Sequence, residues 1–311
     1  MWSFLSNSQE GRRMAVCERK LYTVRLRGKS FELGRRALLM GILNVTTDSF
    51  SDGGRFADRD KALARAFELI SAGADILDIG GESTRPGSAS VPLAQELERV
   101  VPIVRAVREK SDIPISIDTT KAEVAAQALS EGADIINDIS SLQFDPGMAR
   151  VAARSGAPVI LMHMLGIPRT MQTNPTYQSV ISEIIAFLEE RMRFAAQNGI
   201  ERGQIIVDPG IGFGKTTTHN LRIIRELESF SCMDRPILLA ASRKTFIGKV
   251  LCRTEEQREL GTAVVNIFGV AAGAHILRVH DVAFHREAVR LAEAIRSGYF
   301  SETEKSPAQM A

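Results

Sequence analysis

The sequence predicts an α/β protein built as a (β/α)8 barrel, the TIM barrel, from two recurrent observations. Four segments end a helix with Gly-Ala and run directly into a short apolar strand, and they begin at Gly73, Gly132, Gly156 and Gly273. Glycine tolerates the left-handed conformation just past a helix C-terminus, so it marks the helix-to-strand junction. Each strand then stops on polar residues, which is typical of parallel strands with a functional site at their C-terminal ends.

Eight strands bounded by turn residues alternate with helical patterns along the chain. The predicted strands are 38–44, 76–80, 115–118, 135–137, 159–163, 205–208, 237–241 and 276–280. Between them, apolar residues recur at spacings of three and four, as in Leu63, Ala66, Phe67 and Ile70. Eight units over about 260 residues match the size of a (β/α)8 barrel. An open doubly wound sheet is the rival architecture, but regular units without a break in composition favour a closed barrel.

No linker interrupts these units, so the sequence predicts one catalytic domain over residues 31–300. Residues 1–30 are interpreted as a loosely docked N-terminal extension. They lack the core of a signal peptide, because Ser3, Ser6 and Asn7 interrupt the apolar residues. Residues 301–311 are interpreted as a C-terminal tail.

Composition argues against several classes of protein. The 39 basic and 37 acidic residues nearly balance, which gives no support to a nucleic-acid partner. No run approaches the roughly 18 apolar residues of a membrane span, so no membrane partner is expected. Three cysteines, Cys17, Cys232 and Cys252, cannot all pair and lack metal-ligand spacing. They indicate a reduced, cytoplasmic location.

Seven of the eight predicted strands end on polar or charged side chains, which would meet at one mouth of the barrel. Asp118, Asn137 and Asp208 end the third, fourth and sixth strands. They supply carboxylate acceptors and an amide, a set that suits a flat heterocycle with adjacent N–H donors, such as a 2-amino-4-oxo pyrimidine edge.

A second polar group comes from the first and last strands, which are neighbours in a closed barrel. It consists of Asn44, Arg278 and His280, and it suits phosphate oxygens bound directly or through a metal. Lys244 lies between the two groups. Two long polar loops, 46–54 and 82–88, follow the first two strands and are interpreted as lids.

The segment 208–215 looks like a phosphate-binding loop, but its glycines miss the spacing of the G-x-x-x-x-G-K-[ST] motif. A nucleoside triphosphatase is therefore disfavoured.

The chain resembles the dihydropteroate synthases of folate biosynthesis at these same residues. The matching stretches span the whole barrel in order: MGILNVT (40–46), DSFSDGG (48–54), DIGGESTRPG (78–87), IDT (117–119), IND (136–138), LMHM (161–164), DPGIGFGK (208–215), SRK (242–244) and RVHD (278–281). The resemblance implies a transferase that joins 4-aminobenzoate to (7,8-dihydropterin-6-yl)methyl diphosphate and releases diphosphate.

The resemblance also implies a role for each matching residue. Those expected to hold the pterin or to lie in the substrate site are Asp118, Asn137, Asp208, Lys244, Phe213 and Ser242. Thr84, Arg85 and Phe50 would surround the aminobenzoate and the departing diphosphate. Asn44 would ligate Mg²⁺, the implied cofactor, while Arg278 and His280 bind diphosphate oxygens. The expected catalytic residues are Arg85, Lys244, Arg278 and His280.

A dissociative, S_N1-like substitution follows from the implied substrates. The aromatic amine is a weak but neutral nucleophile, so the main task is to stabilise negative charge on the diphosphate as it leaves. The resemblance also implies a homodimer, with the later helices as the contact surface, and a target of sulfonamides, although sensitivity to these drugs is left open.

The chain departs from the family pattern at several positions. Thr47 replaces the usual proline, Leu165 and Ile167 stand where polar residues are usual, and Ala240-Ala241 precede Ser242 where a glycine is common. The helix around residues 262–269 contains Asn266 and the bulky pair Ile267-Phe268 where small residues are expected.

Three other functions are weighed against this one. A pterin-dependent methyltransferase would share the barrel and the pterin-binding residues but would not need Arg85, Lys244, Arg278 and His280. A Schiff-base aldolase using Lys244 would need a desolvated lysine, whereas 242–244 beside two lid loops is interpreted as solvated. A non-catalytic pterin-binding paralogue is the non-enzyme alternative.

Overall fold

The computed structural model describes residues 18–45, 54–83, 85, 87–88 and 90–299. Within these residues the chain forms ten β-strands and nine α-helices. The strands are β1 (Tyr22–Leu26), β2 (Lys29–Leu33), β3 (Leu38–Asn44), β4 (Ile76–Gly80), β5 (Ile115–Asp118), β6 (Ile135–Asp138), β7 (Val159–Met162), β8 (Ile205–Asp208), β9 (Leu238–Leu239) and β10 (Ile276–Val279). The helices are α1 (Gly54–Ser71), α2 (Leu93–Arg108), α3 (Ala122–Ser130), α4 (Met148–Ser155), α5 (Val180–Gln197), α6 (Thr217–Arg225), α7 (Thr245–Leu251), α8 (Glu259–Ala271) and α9 (Val282–Ser297).

The strands β3 to β10 form one parallel sheet in the order β8-β7-β6-β5-β4-β3-β10-β9. The two ends of this sheet meet at a parallel bridge between Val207 and Ile237. There the amide of Val207 donates to the carbonyl of Pro236 across 2.9 Å. The sheet therefore closes into a (β/α)8 barrel, which confirms the predicted fold class.

Four predicted strands, 38–44, 76–80, 115–118 and 205–208, have the observed bounds. Three others differ by one residue at their C-terminal ends. The seventh, predicted as 237–241, is only two residues long, because the chain turns at once: the amide of Lys244 donates to the carbonyl of Ala241. The glycines that predicted the helix-to-strand junctions, Gly73, Gly132, Gly156 and Gly273, all have positive φ.

The barrel interior changes from apolar to polar along each strand. In β4, Ile76 and Asp78 alternate with Leu77 and Ile79, which pack against the surrounding helices. Large apolar residues fill the N-terminal half of the interior, namely Leu38, Met40, Ile76, Ile135, Ile160, Ile206, Leu238 and Ile276. The polar residues two positions later in several strands therefore face the C-terminal mouth.

An antiparallel hairpin of β1 and β2 covers the N-terminal end of the barrel. Val24, Leu26 and Leu33 pack against the apolar interior residues of the strands. The tight turn at Arg27-Gly28 uses positive φ at both residues, as two-residue hairpins require. The hairpin was not predicted, and the end of the expected extension at residue 30 falls inside β2. Alternating apolar residues before and after Arg27-Gly28 were the signal for it.

None of the helices in the described residues is long and apolar enough to cross a membrane. The predicted C-terminal tail, 301–311, lies outside the described residues, as does the lid segment 46–53.

Candidate active site

The C-terminal mouth of the barrel opens into a cavity of about 870 Å³. Strand register brings the polar strand ends to one level, because Asn44 pairs with Gly80, Gly80 with Asp118, and Asp118 with Asn137. Of the residues predicted for the site, the cavity lining includes Asn44, Arg85, Asp118, Phe213, Ser242, Lys244, Arg278 and His280.

Arg278 lies between two buried carboxylates inside the barrel. Its Nε donates to Oδ2 of Asp78 across 2.6 Å, and its Nη2 donates to Oδ2 of Asp118 across 2.7 Å. The amide of Asn137 approaches Asp78 as well, with Nδ2 at 3.3 Å from Oδ2. Arg278 therefore pairs with Asp118, a residue predicted to bind the heterocycle, and with Asp78.

Burial and charge pairing act in opposite directions on the pKa values of Asp118 and Arg278. Burial raises the pKa of Asp118, while the Arg278 guanidinium opposes the rise. Burial by itself would lower the pKa of Arg278, but the carboxylates of Asp78 and Asp118 outweigh it and raise the pKa. A ligand that donates hydrogen bonds to Asp118 would stabilise the carboxylate form.

Asp208 lies at the end of β8 and is held by its own loop. The amide of Gly210 donates to Oδ1 of Asp208 across 2.7 Å. Gly210 has φ +69, and a Cβ there would lie 1.9 Å from the carbonyl oxygen of His163, so only glycine fits. Burial raises the pKa of Asp208 to about 6, against the lowering effects of the Gly210 amide and Lys244.

The ammonium of Lys244 stacks over the ring of Phe213, with Nζ 4.2 Å from the ring centroid. Burial, with the nearby charge of Arg278, lowers the pKa of Lys244 to about 8. Lys244 is half-buried and lines the cavity, so it is less solvated than the sequence suggested.

Lys215 is a buried residue of the site that was not assigned from the sequence. Its Nζ lies 2.9 Å from Nδ1 of His163 and donates to the carbonyl oxygen of Phe213 across 3.0 Å. Burial lowers the pKa of Lys215 to about 7. The lysine that imitates a phosphate-loop motif thus ties the loop after β8 to the end of β7.

His280 follows β10 and pairs with Ser242, which follows the neighbouring strand β9. Its Nδ1 lies 2.9 Å from the Ser242 hydroxyl oxygen, which also accepts a hydrogen bond from the His280 amide. Burial, with the charge of Arg278, lowers the pKa of His280 to about 3. The imidazole is therefore neutral at pH 7 and hydrogen-bonds to the Ser242 hydroxyl. The positive charge in this part of the cavity is that of Arg278.

Arg85 lies at the rim of the cavity. Its Nη2 pairs with Oε1 of Glu255 across 2.7 Å, and both side chains are exposed. Of the other residues expected around the aminobenzoate, Phe50 and Thr84 lie outside the described residues.

Asp78 is the second functional residue that sequence analysis missed. Asp78 lies two residues before the end of β4, whereas the residues predicted for the site lie at or near strand ends. The available signal was a carboxylate inside an otherwise apolar strand that is buried on both faces, because such a group needs a partner.

Comparison with known proteins identifies the family. The family model described as pterin binding enzyme matches residues 40–280. A curated dihydropteroate synthase from Synechocystis is 47% identical over 266 residues, which are 85% of this chain and 92% of that protein. The chain belongs to the dihydropteroate synthase family of pterin-binding enzymes.

Solved structures of this family have the same fold. A Yersinia pestis dihydropteroate synthase, crystallised as a sulfonamide drug complex, superposes with a TM-score of 0.84 at 42% identity and covers 88% of this chain and 99% of its own. A Xanthomonas albilineans dihydropteroate synthase with 4-aminobenzoic acid has a TM-score of 0.84 at 39% identity and covers 89% and 99% of the two chains. The family membership disfavours the methyltransferase and aldolase alternatives.

Proposed function

We propose that this chain catalyses the dihydropteroate synthase reaction. It would join the amino group of 4-aminobenzoate to the methylene carbon of (7,8-dihydropterin-6-yl)methyl diphosphate and release diphosphate. The observation that supports this most is the contact of Arg278 with Asp118 at 2.7 Å in one cavity. Through this contact, the residues suited to a heterocycle adjoin those suited to phosphate oxygens. The relatives cited above carry the same activity in their names.

The pterin would lie against Asp118, Asn137 and Asp208. Carboxylates at Asp118 and Asp208 accept hydrogen bonds from the ring N–H and amino groups, and the Asn137 amide can both donate and accept. Phe213 and Lys244 close one side of the ring with an apolar face and a cation. Burial of these polar groups excludes water from the pterin and strengthens each hydrogen bond.

The diphosphate would lie between Arg278, His280 and Asn44. Asn44 fits a role as Mg²⁺ ligand, since its amide oxygen is a hard donor at the end of β3 and lines the same cavity. The described residues contain no group of three His, Cys, Asp or Glu side chains placed to hold a metal, so substrate oxygens would complete the coordination. When bound, Mg²⁺ supplies charge neutralisation on the diphosphate.

The substitution is dissociative in this proposal. The bond between the methylene carbon and the diphosphate oxygen breaks first, and Arg278 stabilises the negative charge that builds on the leaving group. The electron-rich pterin delocalises the positive charge on the methylene carbon, favoured by Asp118 and Asp208. The neutral amine then forms the new C–N bond and releases its proton to solvent. Racemised product from a chirally deuterated methylene would support this order of steps, and clean inversion would contradict it.

Diphosphate release on mixing both substrates with Mg²⁺ tests the proposed function. We expect release that requires 4-aminobenzoate, together with the formation of 7,8-dihydropteroate. A non-catalytic paralogue would bind the pterin diphosphate without releasing diphosphate. A methyltransferase would leave the diphosphate intact and act on a methylated pterin instead.

A homodimer formed through α8 is part of the proposal. Leu260, Val264, Ile267 and Phe268 share one face of α8 and are all exposed. Residues at this spacing form a continuous apolar stripe, and large exposed stripes commonly mark interfaces. The bulky pair Ile267-Phe268, a departure from the family pattern, thus lies on the surface that a second copy would cover.

The proposed location is the cytoplasm. Cys232 and Cys252 are free and exposed in the structure, and free thiols persist in a reducing compartment. Cell fractionation with detection of the chain in a periplasmic or extracellular fraction would contradict this.

A further inference from the structure

The turn that carries Ser242 and Lys244 contains a strained residue between them. Arg243 has φ +55, in the left-handed region that a residue with a Cβ rarely adopts. The same turn directs Ser242 to His280 and Lys244 to the ring of Phe213. A relaxed backbone at Arg243 would redirect both neighbours, so its conformation matters to the site.

Three contacts from the first turn of α8 and from Arg258, the residue before it, hold Arg243. The hydroxyl oxygen of Thr262 accepts the Arg243 amide proton across 3.0 Å, and Nη1 of Arg258 donates to the Arg243 carbonyl oxygen across 2.9 Å. The guanidinium Nε donates to Oε2 of Glu259 across 2.6 Å. The amide and side chain of this one residue are therefore bound to α8, and its carbonyl is bound to the residue that precedes α8.

Glu259 is in turn held by α9. Its Oε1 lies 2.7 Å from Nε2 of His285, a fully buried histidine. Nδ2 of Asn266 lies 3.3 Å from Nδ1 of the same ring. Because the amide NH₂ can only donate, Nδ1 is assigned as the acceptor, and Nε2 carries the proton that Glu259 accepts.

The charge state of Glu259 agrees with this arrangement. Burial by itself would raise the pKa of Glu259, but the hydrogen bonds from His285 and Arg243 outweigh it and lower the pKa to about 2. Glu259 is therefore a permanent carboxylate partner for Arg243 over the range in which the enzyme would work.

We propose that Glu259, His285 and Asn266, named here the α8 clamp, are positioning residues that act on the reaction through Arg243. The clamp holds Arg243 in its left-handed conformation and so orients Ser242 toward His280 and Lys244 toward the pterin. The roles of Ser242 and Lys244 rest on the proposed function, whereas the claim about the conformation of Arg243 does not. Asn266, a departure from the family pattern, donates to Nδ1 of His285 and so sets the tautomer of that histidine.

Two substitutions of Arg243 separate positioning from direct contact with the substrate, since Arg243 also lines the cavity. Arg243→Ala and Arg243→Gly both remove the guanidinium, but only glycine adopts positive φ without strain. We expect Arg243→Ala to weaken binding of the pterin diphosphate at least about tenfold more than Arg243→Gly does, because a small misplacement of binding groups costs much affinity. Equal losses in both variants, measured by calorimetry without 4-aminobenzoate, would overturn the proposal.

A ligand-free measurement tests the clamp itself. In Glu259→Gln we expect faster amide hydrogen exchange in peptides that cover residues 240–246 than in the wild type. Glu131→Gln is the matched control, because it breaks an Arg–Glu pair of the same length, from Arg105 Nε at 2.6 Å, away from the site. Unchanged exchange in Glu259→Gln, or an equal change in the control, would overturn the inference.

Thr262→Val serves as a second variant in case Glu259→Gln unfolds, since it keeps the side-chain volume but removes the acceptor of the Arg243 amide proton, together with the hydroxyl's own hydrogen bond to the Arg258 carbonyl. It should speed exchange at the same peptides. Failure of the wild type to bind the pterin diphosphate would refute the proposed function, while these exchange rates would still decide on the clamp.

Discussion

Arg278 donates its Nε–H to Asp78 across 2.6 Å, so a guanidinium that lines the cavity is bound to a carboxylate that does not. Asp78 is fully buried and is not among the lining residues, whereas Asp118, the other partner of Arg278, lines the cavity. Asp118 is therefore the partner of Arg278 that faces the cavity, whereas Asp78 comes two residues before the end of its strand. Asp78 would keep Arg278 aimed at the mouth of the barrel while Asp118 turns to the pterin.

Asp78→Asn should lower kcat/KM by about tenfold to a hundredfold, because Arg278 loses its fixed charged partner and its orientation. The free energy of unfolding should fall by about 2 kcal/mol, the worth of a charge-assisted hydrogen bond. Asp75→Asn is the control, since it neutralises an aspartate that pairs with Arg36 at the opposite end of the same strands. Steady-state kinetics and denaturant unfolding check both values, and unchanged kinetics in Asp78→Asn would contradict the role.

Lys244→Ala should weaken binding of the pterin diphosphate by about tenfold or more, since it removes the cation that stacks on Phe213 and faces Asp208. The fold should remain intact, because burial already disfavours the charged lysine. Lys110→Ala provides a comparison in which a lysine is removed from above another ring, that of Phe67. Calorimetric titration and thermal unfolding measure the two effects. An unchanged pterin affinity would remove Lys244 from the binding site.

The buried carboxyl of Asp208 should make pterin binding depend on pH. Its pKa is raised from 3.8 to about 6, and only the carboxylate accepts hydrogen bonds on both oxygens. We expect affinity to fall as pH is lowered from about 7 to about 5. Titrations across this range in the wild type and in Asp208→Asn check the cause, and the variant should show a weaker dependence.

The raised pKa of Asp208 makes the free energy of unfolding change with pH in the opposite direction to pterin affinity. Between pH 3.8 and about 6 the folded protein keeps a proton on Asp208 that the unfolded chain has released. The contribution of Asp208 to the free energy of unfolding is therefore present below pH 3.8 and is lost as pH rises to about 6. A stability contribution that grew with pH in this window, relative to Asp208→Asn, would contradict the raised pKa.

Substitutions of Arg85 and of Glu255 should have very different effects on kcat/KM for 4-aminobenzoate, the second substrate. Their ion pair is exposed, so it contributes at most about 1 kcal/mol, and Glu255→Gln should change kcat/KM for 4-aminobenzoate less than about fivefold. Arg85→Ala should lower it by at least about a hundredfold, because it removes a charge expected at the leaving group. Similar losses in the two variants would show that the ion pair, and not the charge of Arg85, is what matters.

Val264→Asp should turn the proposed dimer into a monomer, since it places a charge at the centre of the apolar stripe of α8. Val264 is exposed, so the barrel itself should remain folded. Leu93→Asp, at an exposed leucine on α2, is the control for a charge on another face. Sedimentation equilibrium gives the mass of each variant. A monomeric wild type, or a dimeric Val264→Asp, would argue against this interface.

Local pattern was enough to predict the barrel and the polar strand ends at its mouth. The left-handed glycines after four helices, the apolar strands and their polar ends are dictated by backbone sterics and burial, which act over a few residues. Strand order then follows from chain order, so Asp118, Asn137 and Asp208 could be assigned to one mouth without coordinates. The hairpin of β1 and β2 was missed only because its alternating pattern was overlooked.

Which polar groups contact one another was decided by the tertiary structure. The pairing of Arg278 with Asp78 joins residues 200 positions apart, and the clamp on Arg243 joins two helices to a turn. The shifted pKa values of His280, Lys215 and Lys244 likewise arise from burial by distant segments. A sequence specifies which side chains can hydrogen-bond or ionise, but desolvation and distance decide which of them do, and both exist only once the barrel has closed.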